Sequence, residues 1–179
     1  MLEIEVPEME YFDDATSLFV KRPGKTLRFE HSLLSVSKWE ARFEKAFLNK
    51  ADKTPEEMLN YIQCMRLDLG PIADLYPLTK EHFVEINEYM NTKATATTFQ
   101  DRTSGRQSKE VITSELMYYW MTAYQIPFEC ETWHLNRLMA LIKICSIKNA
   151  PQKKMRRSEI LARNRALNEQ RLAKYNTSG

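Results

Sequence analysis

The sequence predicts an α+β protein that is mainly α. A small N-terminal antiparallel β meander precedes a helical bundle with a central antiparallel helical hairpin, and an extended basic C-terminal helix follows. Three observations predict it. Leu2, Ile4 and Val6 alternate with Glu3 and Glu5, the period of two of a half-buried strand. Beyond the first 31 residues, large apolar side chains recur at spacings of three and four, the period of an amphipathic helix. Only four glycines occur in 179 residues, which argues against a loop-rich sandwich or a Gly-rich phosphate-binding fold. That length suits one globular domain, assigned to residues 1–150 with strands in 1–31 and helices in 32–150, plus a helical arm over 151–179.

The elements follow in order. After the first strand, Asp13 and Asp14 mark a turn, Ser17 to Val20 resumes extended chain, and Pro23-Gly24 punctuates before Thr26 to Phe29 alternates again. Two or three strands are expected. The acidic first strand can pair with a basic neighbour or stand as a charged edge that resists aggregation. A helix is expected over 34–47, with Val36, Trp39, Phe43 and Phe47 on one stripe. Thr54-Pro55-Glu56-Glu57 signals the next helix start. Thr can cap, Pro suits the first helical position, and two acids favour the positive end of the helix dipole. That helix runs to about Met65, and Gly70-Pro71 breaks the chain.

Thr79 starts another helix with Phe83, Ile86, Tyr89 and Met90 as its apolar face. Residues 91–107 are polar and Thr-rich and read as a loop, with one strand at 94–99. The central helix is expected over 108–124, with Ile112, Leu116, Tyr119, Trp120 and Ala123 on its stripe. Pro127 separates it from a helix running from about residue 130 to 147, with Leu135, Leu138, Met139, Ile142 and Cys145 buried. The short connection implies an antiparallel hairpin at the core. Pro151 ends it. The last helix, 158–175, has only Ile160, Leu161, Leu167 and Leu172 as large aliphatics, too thin a stripe for a core.

Charge is unevenly distributed. Residues 148–179 carry nine Lys/Arg against two acids, a net of +7, whereas the first 20 residues carry six acids and no Lys or Arg. With a total of +2, residues 1–147 therefore sum to −5. This pattern points to docking on another macromolecule. A basic arm can release counterions from phosphates, and Lys153, Lys154, Arg156 and Arg157 would suit that. However, Tyr175 is the one aromatic of the tail, so no base-stacking platform exists there. Nucleic acid is accordingly the less favoured partner, and a protein the favoured one. No run approaches 18 apolar residues, so no membrane span is expected. The acidic N-terminus lacks the pattern of a secretory leader. Three cysteines, Cys64, Cys130 and Cys145, suggest a reducing compartment without a disulfide framework.

Signals for chemistry are weak. His31, His82 and His134 are the only histidines, and no phosphate loop, dinucleotide fingerprint or nucleophile motif occurs. Cys130 and His134, one helical turn apart, could offer two metal ligands, but a zinc site needs two more. They read instead as a buried thiol beside a hydrogen-bonded histidine. No catalytic residue, cofactor site or metal site is assigned, and no enzyme is expected. In Tyr118-Tyr119-Trp120 at least one aromatic must point away from the helix's buried face. The candidate partner-binding residues are Lys153, Lys154, Arg156, Arg157, Arg163 and Arg165 of the arm, together with Tyr118, Trp120 and Trp133 as covering aromatics. Trp133, near Phe128, is also suited to stapling the start of the following helix.

The segment ITSELMYYWMTAYQIPFECETWHLNRLMALIKICSIKN at 112–149, followed by PQKKM and SEILARNR, resembles proteins encoded by long-tailed bacteriophages of gut bacteria. SKWE at 37–40 and TPEEMLNYI at 54–62 fit the same group, so the resemblance covers nearly the whole chain. Size, helical content and the charged C-terminal extension are similar to those of tail assembly chaperones. That resemblance implies a non-enzymatic protein of the host bacterial cytoplasm. It would bind the tape measure protein or tail tube subunits during assembly, and possible self-association would give a homo-oligomer. No residue motif defines the function, so no site residue is carried over. Two alternatives are a virion structural protein, such as a head–tail connector or tail-completion subunit, and a nucleic-acid-associated phage protein. The charge split further predicts that the acidic front of one copy meets the basic tail of the next.

Overall fold

The computed structural model describes residues 1–13, 17–49, 52–68, 70–99, 111–150 and 157–175. It is α+β and mainly α; the described residues form four strands at the N-terminus followed by six α-helices. Two compact units are present, Met1–Ser146 and Ile147–Gly179.

The strands are β1 (Leu2–Val6), β2 (Met9–Asp13), β3 (Leu18–Arg22) and β4 (Lys25–Phe29). They do not pair in sequence as a meander. β1 pairs with β4 and β2 with β3, both antiparallel. The register is the same in both ladders, since Val6 faces Lys25 and Met9 faces Arg22. The element is therefore one long hairpin, interrupted where Pro7 and Pro23 each lack the N–H that a ladder needs. Gly24 sits at this interruption; a Cβ there would stand 3.0 Å from the Glu8 nitrogen and 3.1 Å from the Val6 oxygen. The inner half buries Ile4, Val6, Leu27 and Phe29. The acidic β1 does meet a basic neighbour, because Glu3 lies opposite Arg28. The far edge of β4 is occupied as well: Leu67 N donates to Arg28 O and Glu30 N to Met65 O, each at 2.9 Å.

Helix α1 (Leu33–Phe43) starts on a capping box between Ser32 and Ser35. It ends earlier than its apolar spacing predicts. Glu44 turns left-handed at φ 55°, and the amide of Phe47 is taken by the Glu40 carboxylate at 2.7 Å. Phe47 thus leaves the helix and stacks on Tyr61, with ring centroids 3.8 Å apart. Helix α2 (Pro55–Met65) begins as expected, with Thr54 and Glu57 forming a reciprocal capping box and Pro55 at the first position. Trp39 joins the two helices by donating its indole N–H to Glu57 O at 2.8 Å.

A 3-10 turn (Ile72–Leu75) follows the Gly70-Pro71 break. A Cβ on Gly70 would meet Asp74 Oδ2 at 2.5 Å and Arg66 Nη2 at 2.6 Å, so the ends of these two charged side chains would have to shift to admit one. Helix α3 (Lys80–Asn91) is capped by Thr79 and His82. Of its expected face, Ile86 is buried, Tyr89 and Met90 are half-buried, and Phe83 is exposed. The described part of the next loop, 92–99, contains no strand.

Helix α4 (Ser114–Ala123) is shorter than expected. Its cap is Thr113, whose side chain accepts from Leu116 N, and the expected start at Ser108 lies outside the described residues. Its buried face is Ser114, Met117 and Met121, one position off the expected stripe. α4 packs on α1, not closely on α5. The expected single helix from residue 130 is also divided. A 3-10 turn (Phe128–Thr132) comes first, then Trp133 is extended, and α5 spans Leu135–Asn149. The break is pinned from outside, because Leu135 N donates to His31 O at 2.7 Å. Helix α6 (Arg157–Tyr175) belongs to the second unit.

Candidate functional site

The expected covering aromatics are less open than the sequence reading assumed. With Met117 and Met121 turned inward, a helix places residue 119 nearly opposite them. Tyr119 is accordingly 65% exposed, while Tyr118 and Trp120 flank the buried face and are half-buried. Tyr118 donates its hydroxyl to Glu131 Oε2 at 2.7 Å and lies 6.2 Å from the Phe128 ring. Burial, followed by that carboxylate, pushes the Tyr118 hydroxyl pKa up. Trp133 is half-buried, with the Arg137 guanidinium 4.0 Å from its ring centroid.

Trp120 contributes to a cleft of about 830 Å³ in the first unit. It is lined by Trp120 of α4, by Tyr124 just after that helix, and by Met139, Ile142 and Lys143 of α5, and Phe99 adds a third aromatic. Lys143 Nζ lies 4.3 Å from the Phe99 centroid. Asn136 secures the incoming chain by donating to Met90 O at 3.3 Å and Thr92 O at 2.7 Å. A second groove, about 490 Å³, lies between α2 and α3 and is walled by Met58, Leu59, Ile62, Phe83, Ile86 and Met90.

The outer half of the hairpin is a further apolar surface. Tyr11, Phe12, Leu18 and Phe19 are exposed, Phe19 by 70%, and the Phe12 and Phe19 rings meet edge to face at 5.2 Å. The sequence reading missed β2. The signal was present, since Met9 and Tyr11 continue the alternation of Leu2, Ile4 and Val6 after one shift at Pro7.

The best-ordered polar cluster is sealed. His31, Ser32, Ser35 and Tyr61 are all buried. Ser35 Oγ donates to Ser32 O at 2.7 Å, and the Tyr61 hydroxyl and His31 Nδ1 share a hydrogen bond at 2.5 Å. Burial pushes the Tyr61 hydroxyl up and keeps it protonated. Burial, then the neighbouring His134, lowers His31 from 6.5 to about 4. His134 uses both ring nitrogens: Nδ1 accepts from Asn136 N at 3.2 Å and Nε2 meets Tyr89 O at 3.1 Å. Cys130 precedes α5 in its own 3-10 turn rather than sharing a helix face with His134, and burial pushes its thiol up. These groups hold β4, α1, α2 and α5 together, and solvent does not reach them.

No family model, no curated protein and no solved structure gives a significant match.

The arm carries the remaining candidates. Arg157, Arg163 and Arg165 lie on α6 and are exposed; Lys153, Lys154 and Arg156 lie outside the described residues. Ile160, Leu161, Leu167, Leu172 and Tyr175 are all exposed on the same helix. At 100° per residue they fall within an arc of about 140°, interrupted by Asn164, Asn168 and Arg171. Among the described residues no helix is long and apolar enough to cross a membrane.

Proposed function

We propose that this chain is a non-enzymatic docking protein of phage tail morphogenesis, which binds tape measure or tail tube proteins in the host cytoplasm. One observation carries the docking part: α6 presents an apolar stripe bordered by cations, and all its described side chains are exposed. An isolated amphipathic helix gains most of its stability from a partner that covers the stripe, and helix-in-groove recognition uses anchors of this spacing. The exposed hairpin aromatics and the aromatic cleft offer further contact surface. The non-enzymatic part is supported by the burial of the Ser35–Tyr61–His31 cluster, which no substrate touches without unfolding the core. The phage part is supported by the sequence resemblance of residues 112–149 and the helix after them.

Mass spectrometry of purified particles tests this reading. An assembly chaperone is present in the infected cell and absent from the finished virion. Recovery at a fixed copy number per particle would instead identify a structural subunit. A gel shift at two salt concentrations tests the remaining alternative, because a phosphate-binding arm loses affinity steeply as salt rises.

A further inference from the structure

The chain carries both an exposed amphipathic helix and an apolar groove flanked by helices of opposite charge. We propose that the α2–α3 groove receives α6 of a second copy of this chain, so that copies join head to tail. This rests on the docking reading above and names one partner for the arm.

Charge chooses between the two cavities. The lining of the α4–α5 cleft holds two cations, Lys93 and Lys143, and no carboxylate, so it is the poorer match for a basic helix. The helices flanking the other groove, Pro55–Met65 and Lys80–Asn91, carry five acids against Lys80 alone, a net of −4. Glu57 is engaged by Lys45 at 2.5 Å, but Glu56, Glu81, Glu85 and Glu88 are exposed. α6 carries five Lys/Arg against two acids, a net of +3. The acidic front is the weaker receptor. Within residues 1–30, Lys21, Arg22, Lys25 and Arg28 offset four of the seven acids, a net of −3 spread over thirty residues against −4 on the two groove helices.

Shape and chemistry agree with charge. The groove walls are apolar, and Phe83 is 38% exposed at its mouth beside the exposed Val84. Helices of 11 and 12 residues form a trough about 17 Å long, and Ile160 to Leu172 on the arm spans about 18 Å. Leu167, 40% exposed at the middle of that stripe, is placed to fill it. The contact joins unlike surfaces, so it propagates into rings or filaments rather than stopping at a symmetric pair.

Sedimentation velocity on the full chain in low salt tests the proposal, using Leu167→Glu on the arm and Phe83→Glu in the groove. The wild type should sediment as species larger than the monomer. Each variant alone should associate at least about tenfold more weakly, as expected for a central contact residue. A one-to-one mixture should form a dimer that grows no further, because only one intact arm and one intact groove remain. Glu85→Lys, at an exposed position, replaces Phe83→Glu if circular dichroism shows the latter to be unfolded. A monomeric wild type, variants that assemble like wild type, or a mixture that stays monomeric would each overturn the proposal. If the chain is monomeric yet Leu167→Glu abolishes binding to a tape measure protein, this inference falls and the docking reading stands. If Leu167→Glu affects neither, both fall.

Discussion

Glu40 shows how one buried side chain sets several boundaries. Its two carboxylate oxygens accept from Phe47 N and Ser114 N, each at 2.7 Å, so it fixes both the chain leaving α1 and the start of α4. Gln in its place would turn an amide donor toward one of those N–H groups. Glu40→Gln should therefore cost roughly 2 kcal/mol in urea unfolding. His31 sets a pH dependence. Its folded value of about 4 lies below its ordinary 6.5. Between these values the unfolded chain binds a proton that the folded chain refuses, so stability falls as pH falls from 6.5 toward 4 and is retained above 6.5. The full effect is on the order of 3 kcal/mol. Unfolding midpoints at pH 7 and pH 5 should differ for wild type and converge for His31→Gln. At this scale the sequence was least legible. That one aromatic of Tyr118-Tyr119-Trp120 must point outward followed from helix geometry, but its being Tyr119 depended on Met117 and Met121 packing inward.

Elements with local start signals were readable. Thr54-Pro55-Glu56-Glu57 and Thr79 begin helices because caps act within four residues. Ends set by distant partners were not readable. Val36, Trp39, Phe43 and Phe47 have helical spacing, yet Phe47 is drawn off by Glu40 and Tyr61. Likewise the break before α5 comes from a bond to His31, about a hundred residues earlier in the chain. The hairpin was hidden by its prolines, which look like strand ends although they interrupt a continuous register. Two outcomes are expected here. Thr54→Ala should lose about 1 kcal/mol through the cap. Glu44→Gly should gain about 1 kcal/mol, because glycine adopts the left-handed C-cap without a Cβ penalty. Chemical denaturation reads both.

For the whole molecule, the charge split was legible from the first pass and its meaning became narrower. Two acids of the N-terminal strands face cations of their own hairpin: Glu3 faces Arg28 and Glu10 faces Lys21. A further open negative surface lies on α2 and α3, beside an apolar groove that periodicity alone does not reveal. The opposing positive stripe is α6. Its apolar residues are too few for a core and well spaced for a partner. Light scattering on the full chain and on a chain lacking residues 153–179, between about 50 and about 500 mM salt, tests the docking claim most directly. Mass should fall toward the monomer with salt in the full chain and should be monomeric throughout without the arm. A mass unchanged by both salt and truncation would contradict it.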